Sequence, residues 1–178
     1  MKALVLSIGA LLFSGCTQLG LGVANLPAKF SDTRIEQGVA FGPESWQRLD
    51  IYRPAAEGEY PVVVFFYGGR WSEGSRTMYP FVGEAFAERG YITVIADYRK
   101  YPEVRFPTFV EDGAQALAWV HDHIETYGGV TERVYLAGHS AGAHIASLLV
   151  ADERYLAAHG KRPDIVRAFA GLAGPYDF

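Results

Sequence analysis

A serine hydroxyl attacks a carbonyl only when the chain lifts it clear of the backbone and offers donors to the charge that develops on the carbonyl oxygen. The stretch Gly138-His139-Ser140-Ala141-Gly142 has the residue types for both tasks. Arg133 to Ala137 before it are strand-like, and Ala143 to Leu156 after it repeat apolar residues at helical spacing. A serine on a tight strand-to-helix turn crowds the backbone two residues to either side, and Gly138 and Gly142 have no Cβ there to clash. These residues predict a nucleophile elbow: Ser140 at its tip, His139 within the turn, and the Ala141 N–H at a helix start, aimed where an oxyanion would form.

A second donor is expected from the loop after an earlier strand. Pro61 to Phe66 is an apolar run, and Tyr67-Gly68-Gly69-Arg70-Trp71 follows it, with two adjacent glycines that let backbone approach a substrate closely. Gly68, Gly69 and Ala141 are therefore the candidate oxyanion hole. Together with Asp97-Tyr98-Arg99-Lys100-Tyr101-Pro102, the two glycine-rich stretches resemble the α/β-hydrolase esterases and lipases related to hormone-sensitive lipase. The similar branch includes arylformamidase-like and feruloyl-esterase-like enzymes, and the resemblance runs from about Gln47 to Phe178.

The resemblance implies an α/β fold, a mostly parallel sheet flanked by helices, with the family's C-terminal strands missing from this sequence. It implies a serine carboxylesterase that cleaves a small ester through an acyl-enzyme on Ser140 and needs no cofactor. Two alternatives stay open: arylformamide or amide cleavage, and a non-catalytic relative serving as a cell-envelope binding module. Two departures stand out. The family usually has histidine where Tyr67 stands, a side chain that shapes the oxyanion loop; tyrosine can donate one hydrogen bond there. The family's acid and histidine follow the serine in chain order, beyond the segment matching Gly174 to Phe178. After Ser140 the histidines are His144 and His159 and the acids Asp152, Glu153, Asp164 and Asp177, none in a matching motif. The expectation is an N-terminal fragment of a longer hydrolase.

Elements able to position the site can be read along the chain. Gln47 to Arg53 alternates like a strand, while Tyr60 to Phe66 and Tyr91 to Ala96 are continuous apolar runs of the buried parallel kind. Met78 to Arg89 has helical spacing through Val82, Ala85 and Phe86, with Gly90 as its stop. Phe109, Gly113, Ala116, Leu117, Val120, Ile124 and Tyr127 form one stripe between Pro107 and Gly128-Gly129. Ile165 to Ala170 reads as a last strand. Strand–helix alternation of this kind gives right-handed crossovers. Asp97 follows a buried strand and is expected to brace a loop, with Arg99 as its partner; Trp71, Tyr98 and Tyr101 are candidates to line a substrate pocket.

The N-terminus reads separately. Met1-Lys2, the apolar stretch Ala3 to Phe13 and Ser14-Gly15 resemble a secretory signal peptide over residues 1–15, too short to span a bilayer. Leu12 to Cys16 resembles a bacterial lipobox, which would make Cys16 a lipidated N-terminus that anchors the exported protein to a membrane of the cell envelope. Residues 16–45 then form a tether and lead-in, in which Phe30 or Phe41 can help cover the site, and residues 46–178 belong to the hydrolase domain. The one cysteine excludes an internal disulfide framework. A net charge of −4 offers no basic face for nucleic acid, and 20% charged against 49% hydrophobic residues excludes a disordered chain. His121 and His123 point about 200° apart on one helix and cannot share a metal, so no metal site is expected.

Overall fold

The structure, a computed structural model, describes residues 20, 22–26 and 31–177. The signal segment 1–15, Cys16 and Phe30 lie outside the described residues. Six strands make one sheet: β1 (Arg34–Ala40), β2 (Arg48–Arg53), β3 (Tyr60–Phe66), β4 (Ile92–Ala96), β5 (Gly129–His139) and β6 (Val166–Leu172), in the spatial order β1-β2-β4-β3-β5-β6. From β4 to β6 neighbours are parallel, whereas β2 runs antiparallel to both β1 and β4. The expected mostly parallel sheet is present.

Helices cover both faces. They are α1 (Pro80–Ala87), α2 (Thr108–His123), α3 (Ala141–Ala151) and α4 (Glu153–Ala157). Successive strand residues point to opposite sides, and the end of β3 uses both. Phe65 meets Tyr79 just before α1, with ring centroids 5.8 Å apart. Phe66 faces the other way, where a Cβ on Gly113 of α2 would lie 3.4 Å from its ring and 2.8 Å from Ile145 of α3. The apolar runs of β3 and β4 are buried on both faces for this reason.

The structure redraws three sequence boundaries and the role of one residue. The lead-in 16–45 is not all tether, since residues 34–40 pair with β2 as an edge strand. Phe41 is buried in the core, edge-on to Trp46, and so does not cover the site. The helix expected over Met78 to Arg89 shortens to α1, because Arg76–Met78 form a 3-10 turn and Pro80 starts the helix. The helix expected to run to Leu156 breaks at Asp152, whose extended backbone ends α3 and whose carboxylate caps the Arg154 N–H at 3.1 Å.

At the other edge, β6 pairs with β5 alone among the described residues. Its register is nonetheless important for the site: the carbonyl of Leu172, its last residue, accepts the Ser140 N–H at 2.8 Å.

Candidate active site

Ser140 sits between β5 and α3 with φ 51° and ψ −118°, a conformation that non-glycine residues rarely adopt. The surroundings hold it there. Its carbonyl accepts the Ala143 and His144 N–H groups at 3.0 and 3.2 Å, which starts α3. The N–H groups of Ala141 and Gly142 open the helix and have no acceptor within it, which makes this end a place for negative charge. The close approach of strand and helix explains the glycines. A Cβ on Gly142 would lie 2.0 Å from the Phe66 carbonyl oxygen, and one on Gly138 2.4 Å from the Gly142 carbonyl oxygen.

The loop after β3 packs directly on this turn. A Cβ on Gly68 would lie 2.7 Å from His139 Nδ1 and 3.1 Å from Ser140 Cβ, so the structure brings Gly68, His139 and Ser140 together. Gly69 has φ 138°, a glycine conformation, and its carbonyl accepts the N–H groups of Ser72 and Glu73, both at 2.9 Å. Arg70 and Trp71 continue the tight loop with φ 51° and 56°.

Tyr67 leads into this loop. Its hydroxyl donates to Asp97 Oδ1 at 2.8 Å, and its carbonyl accepts the Tyr98 hydroxyl at 2.8 Å. Burial, with Asp97 beside it, pushes the Tyr67 phenol far above its usual pKa, so it remains a neutral donor. Asp97 therefore does brace a loop, but its cationic partner is Arg76 rather than Arg99. The Arg76 guanidinium pairs with Asp97 Oδ2, its backbone N–H reaches Oδ1 at 2.9 Å, and its Nε reaches Asp50 at 2.8 Å. Arg99 instead grips Asp112 of α2 through Nε at 3.0 Å and Nη2 at 2.6 Å.

Beside the elbow lies an apolar hollow of about 380 Å³ lined by Trp71, Phe106, Phe109 and His144. Trp71 belongs to the glycine loop and His144 lies one helical turn after Ser140, so the hollow is bounded by the two elements that carry the glycine loop and the elbow. Of the three aromatic residues expected to line a pocket, only Trp71 does. Tyr98 is buried against Tyr67, and Tyr101 is exposed. Phe106 and Phe109 escaped sequence reading because Phe109 falls on the core stripe of α2 and Phe106 precedes the helix.

His144 packs edge-on against Trp71, with centroids 5.3 Å apart. Burial lowers its pKa below the ordinary 6.5, so the folded protein holds it neutral at pH 7. The unfolded chain takes up a proton near pH 6.5 that the folded chain resists, so stability is full above that pH and falls as pH drops through and below it. His159, lowered likewise by burial, acts in the same direction. His144→Phe is expected to make this acid-side loss shallower in urea unfolding at about pH 7.5 and about pH 5.5. An unchanged slope would show that His144 does not carry it.

His159 borders a neighbouring hollow, which shares Phe106 with the first and is completed by Pro107, Glu111, Arg154, Tyr155 and Ala158. Two downstream acids are already engaged, Asp152 with Arg154 at 2.6 Å and Asp164 with Arg162 at 3.5 Å. No cluster of metal-ligating side chains occurs among the described residues.

Residues 49–170 match the model of the BD-FAE family. A probable isoprenylcysteine alpha-carbonyl methylesterase, ICMEL2 of Arabidopsis thaliana, is 33% identical over 153 residues, covering 83% of this chain and 36% of that protein. Esterase LipC of Mycobacterium tuberculosis is 33% identical over 147 residues, covering 79% of this chain and 36% of that protein. Among solved structures, the hyperthermophilic esterase from the archaeon Pyrobaculum calidifontis superposes with a TM-score of 0.73 at 27% identity, over 87% of this chain and 50% of that one. The chain thus spans about a third of the length of the curated relatives it matches. With its parallel sheet, its elbow at Ser140 and this match over most of its length, the chain belongs to the BD-FAE family and has the α/β-hydrolase fold.

Proposed function

We propose that the complete protein is a carboxylic ester hydrolase that works through an acyl-enzyme on Ser140. The observation that carries this reading is the elbow itself: a serine at φ 51° on a helix start, with the Gly68-Gly69 loop packed against it. In the proposed reaction, Ser140 Oγ attacks the ester carbonyl and the N–H groups of Ala141 and Gly69 bind the oxyanion, the Gly68 N–H being taken up by the Tyr79 phenol. The intermediate collapses with loss of the alcohol, and water then releases the acid from the acyl-serine.

The general base that accepts the Ser140 proton, and the carboxylate that orients it, we place in chain outside these 178 residues. Supporting this are the engagement of Asp152 and Asp164 with arginines, the position of His159 in the hollow beyond Phe106, and relatives of which the matched segment is only about a third. The homologues named as esterases and methylesterases support an ester as the substrate.

The apolar hollow beside Ser140 is proposed to seat an apolar group of the substrate. Removing the Trp71 indole deletes much of one wall. Trp71→Ala is expected to raise KM for a bulky apolar ester by about tenfold while leaving an acetate ester within about twofold, since the smaller acyl group does not fill the hollow. Steady-state kinetics of the complete protein on a series of chromogenic esters tests this; equal effects on all esters would remove the hollow from substrate binding.

We also propose that residues 1–15 direct export and that Cys16 carries the lipid that tethers the protein to a bacterial envelope membrane. The support is the order of charge, apolar stretch, small residues and cysteine in the sequence. Metabolic labelling with a tritiated fatty acid is expected to mark the protein and to be lost in Cys16→Ala. Equal labelling of both would refute the anchor.

A further inference from the structure

Tyr67 carries the peptide bond that leads into Gly68, and that peptide is held with unusual thoroughness. Its ring is stacked between Tyr98, with centroids 4.7 Å apart, and Tyr79, 5.7 Å away. The carbonyl of Tyr67 accepts the Tyr98 hydroxyl, and because a trans peptide is planar, the opposed Gly68 N–H is fixed as well, turned to the Tyr79 phenol, so the entry into Gly69 is held from both sides. Its phenol oxygen donates to Asp97 and accepts from Lys100 Nζ at 3.2 Å.

Lys100 is partly buried and turned inward. Its Nζ also donates to the Tyr98 carbonyl at 3.0 Å and lies 5.5 and 5.4 Å from the ring centroids of Tyr67 and Tyr98. A long cationic side chain normally keeps its rotamer freedom and its water, and giving up both needs a compensating interaction. Here the compensation is a directed chain. An ammonium only donates and a carboxylate only accepts, so the phenol between Lys100 and Asp97 has one arrangement of its proton. Asp97 is anchored in turn by Arg76, which also grips Asp50 of β2. The glycine loop after β3 is thereby tied to the central sheet through two charged groups that meet at one phenol oxygen.

We propose that Lys100 is a positioning residue for the oxyanion loop: through the Tyr67 hydroxyl it locks the peptide that leads into Gly69, whose N–H is the donor assigned above to the oxyanion on Ser140. This rests on the ester-hydrolase reading above. An oxyanion exists only in the transition state, so slack in its donors costs kcat and leaves ground-state binding nearly untouched. Misplacement of catalytic groups by a fraction of an ångström to an ångström is known to cost one to two orders of magnitude.

The test compares wild type, Lys100→Met, Tyr67→Phe and the double variant of the complete protein on a chromogenic acetate ester, with folding checked by thermal unfolding. Each single variant is expected to lower kcat about tenfold or more with KM within about twofold. The double variant should be no slower than Tyr67→Phe alone, because Lys100 acts through that hydroxyl. A wild-type kcat in Lys100→Met, a raised KM with unchanged kcat, or multiplying effects in the double variant would overturn the proposal. Should Lys100→Met not fold, Lys100→Gln keeps a neutral donor and is expected to fall between it and wild type; full activity there counts against a role for the charge. Ser140→Ala in the same assay separates the two readings. Hydrolysis that survives in Ser140→Ala overturns both, whereas a dead Ser140→Ala beside an unimpaired Lys100→Met overturns the Lys100 proposal alone.

Discussion

Ser140→Ala is expected to lower kcat of the complete protein about 10⁴-fold or more, with little change in thermal stability. The substitution removes one oxygen and nothing else. The strained backbone at residue 140 is imposed by its neighbours: the Leu172 carbonyl takes its N–H, and its own carbonyl caps α3. Alanine meets the same constraints with the same Cβ, so the elbow and the Ala141 donor remain in place. What is lost is the atom that would form the covalent bond, and the residual rate is the part that oxyanion donors and binding give alone. Initial rates and a melting curve on one preparation check both halves; a fall of less than about tenfold would mean that another group is the nucleophile.

Gly142→Ala should do more damage to the fold. The added methyl would sit 2.0 Å from the Phe66 carbonyl oxygen and 2.5 Å from that of Tyr67. Both are main-chain atoms at the end of β3, so no side-chain rotation relieves the contact and α3 must move off the sheet. A loss of about 3 kcal/mol or more is expected, at the upper end for overpacking. Activity should fall by about 100-fold or more in whatever protein still folds, because the displaced Tyr67 peptide carries the oxyanion loop. Gly160→Ala is the contrast: its φ is 68°, but nothing lies within 4 Å of the added methyl, so the cost is backbone strain alone, about 1 kcal/mol. Denaturant unfolding of the two variants decides, and a Gly142 variant as stable as the Gly160 variant would contradict the close approach.

The site's main-chain half was legible because it depends on local spacing. Glycines two residues to either side of Ser140, a strand before and a helix after are short-range facts. The side-chain half was not, because it depends on docking. Arg76 reaches Asp97 across 21 residues of sequence, and nothing near Asp97 distinguishes it from Arg99, which α2 claims through Asp112. Phe109 reads as core from its helical stripe, and only the tertiary position of Trp71 and His144 turns it into a pocket wall.

The same division holds for the fold. β3 and β4 are covered on both faces and so appear as unbroken apolar runs. β1 is an edge strand with mostly exposed residues, Arg34, Glu36 and Gln37 among them, and carries no apolar alternation to betray it. The break at Asp152 had a capping signal, an aspartate followed by Glu153, but Leu148, Leu149, Tyr155 and Leu156 kept the apolar spacing going across it.

The most direct measurement is intact-mass analysis of the complete protein mixed rapidly with an activated ester, followed by peptide mapping. An acyl adduct that rises before steady state, maps to the peptide containing Ser140 and is missing from Ser140→Ala is the result expected here. Steady hydrolysis with no adduct, or an adduct on another residue, would contradict an acyl-enzyme on Ser140.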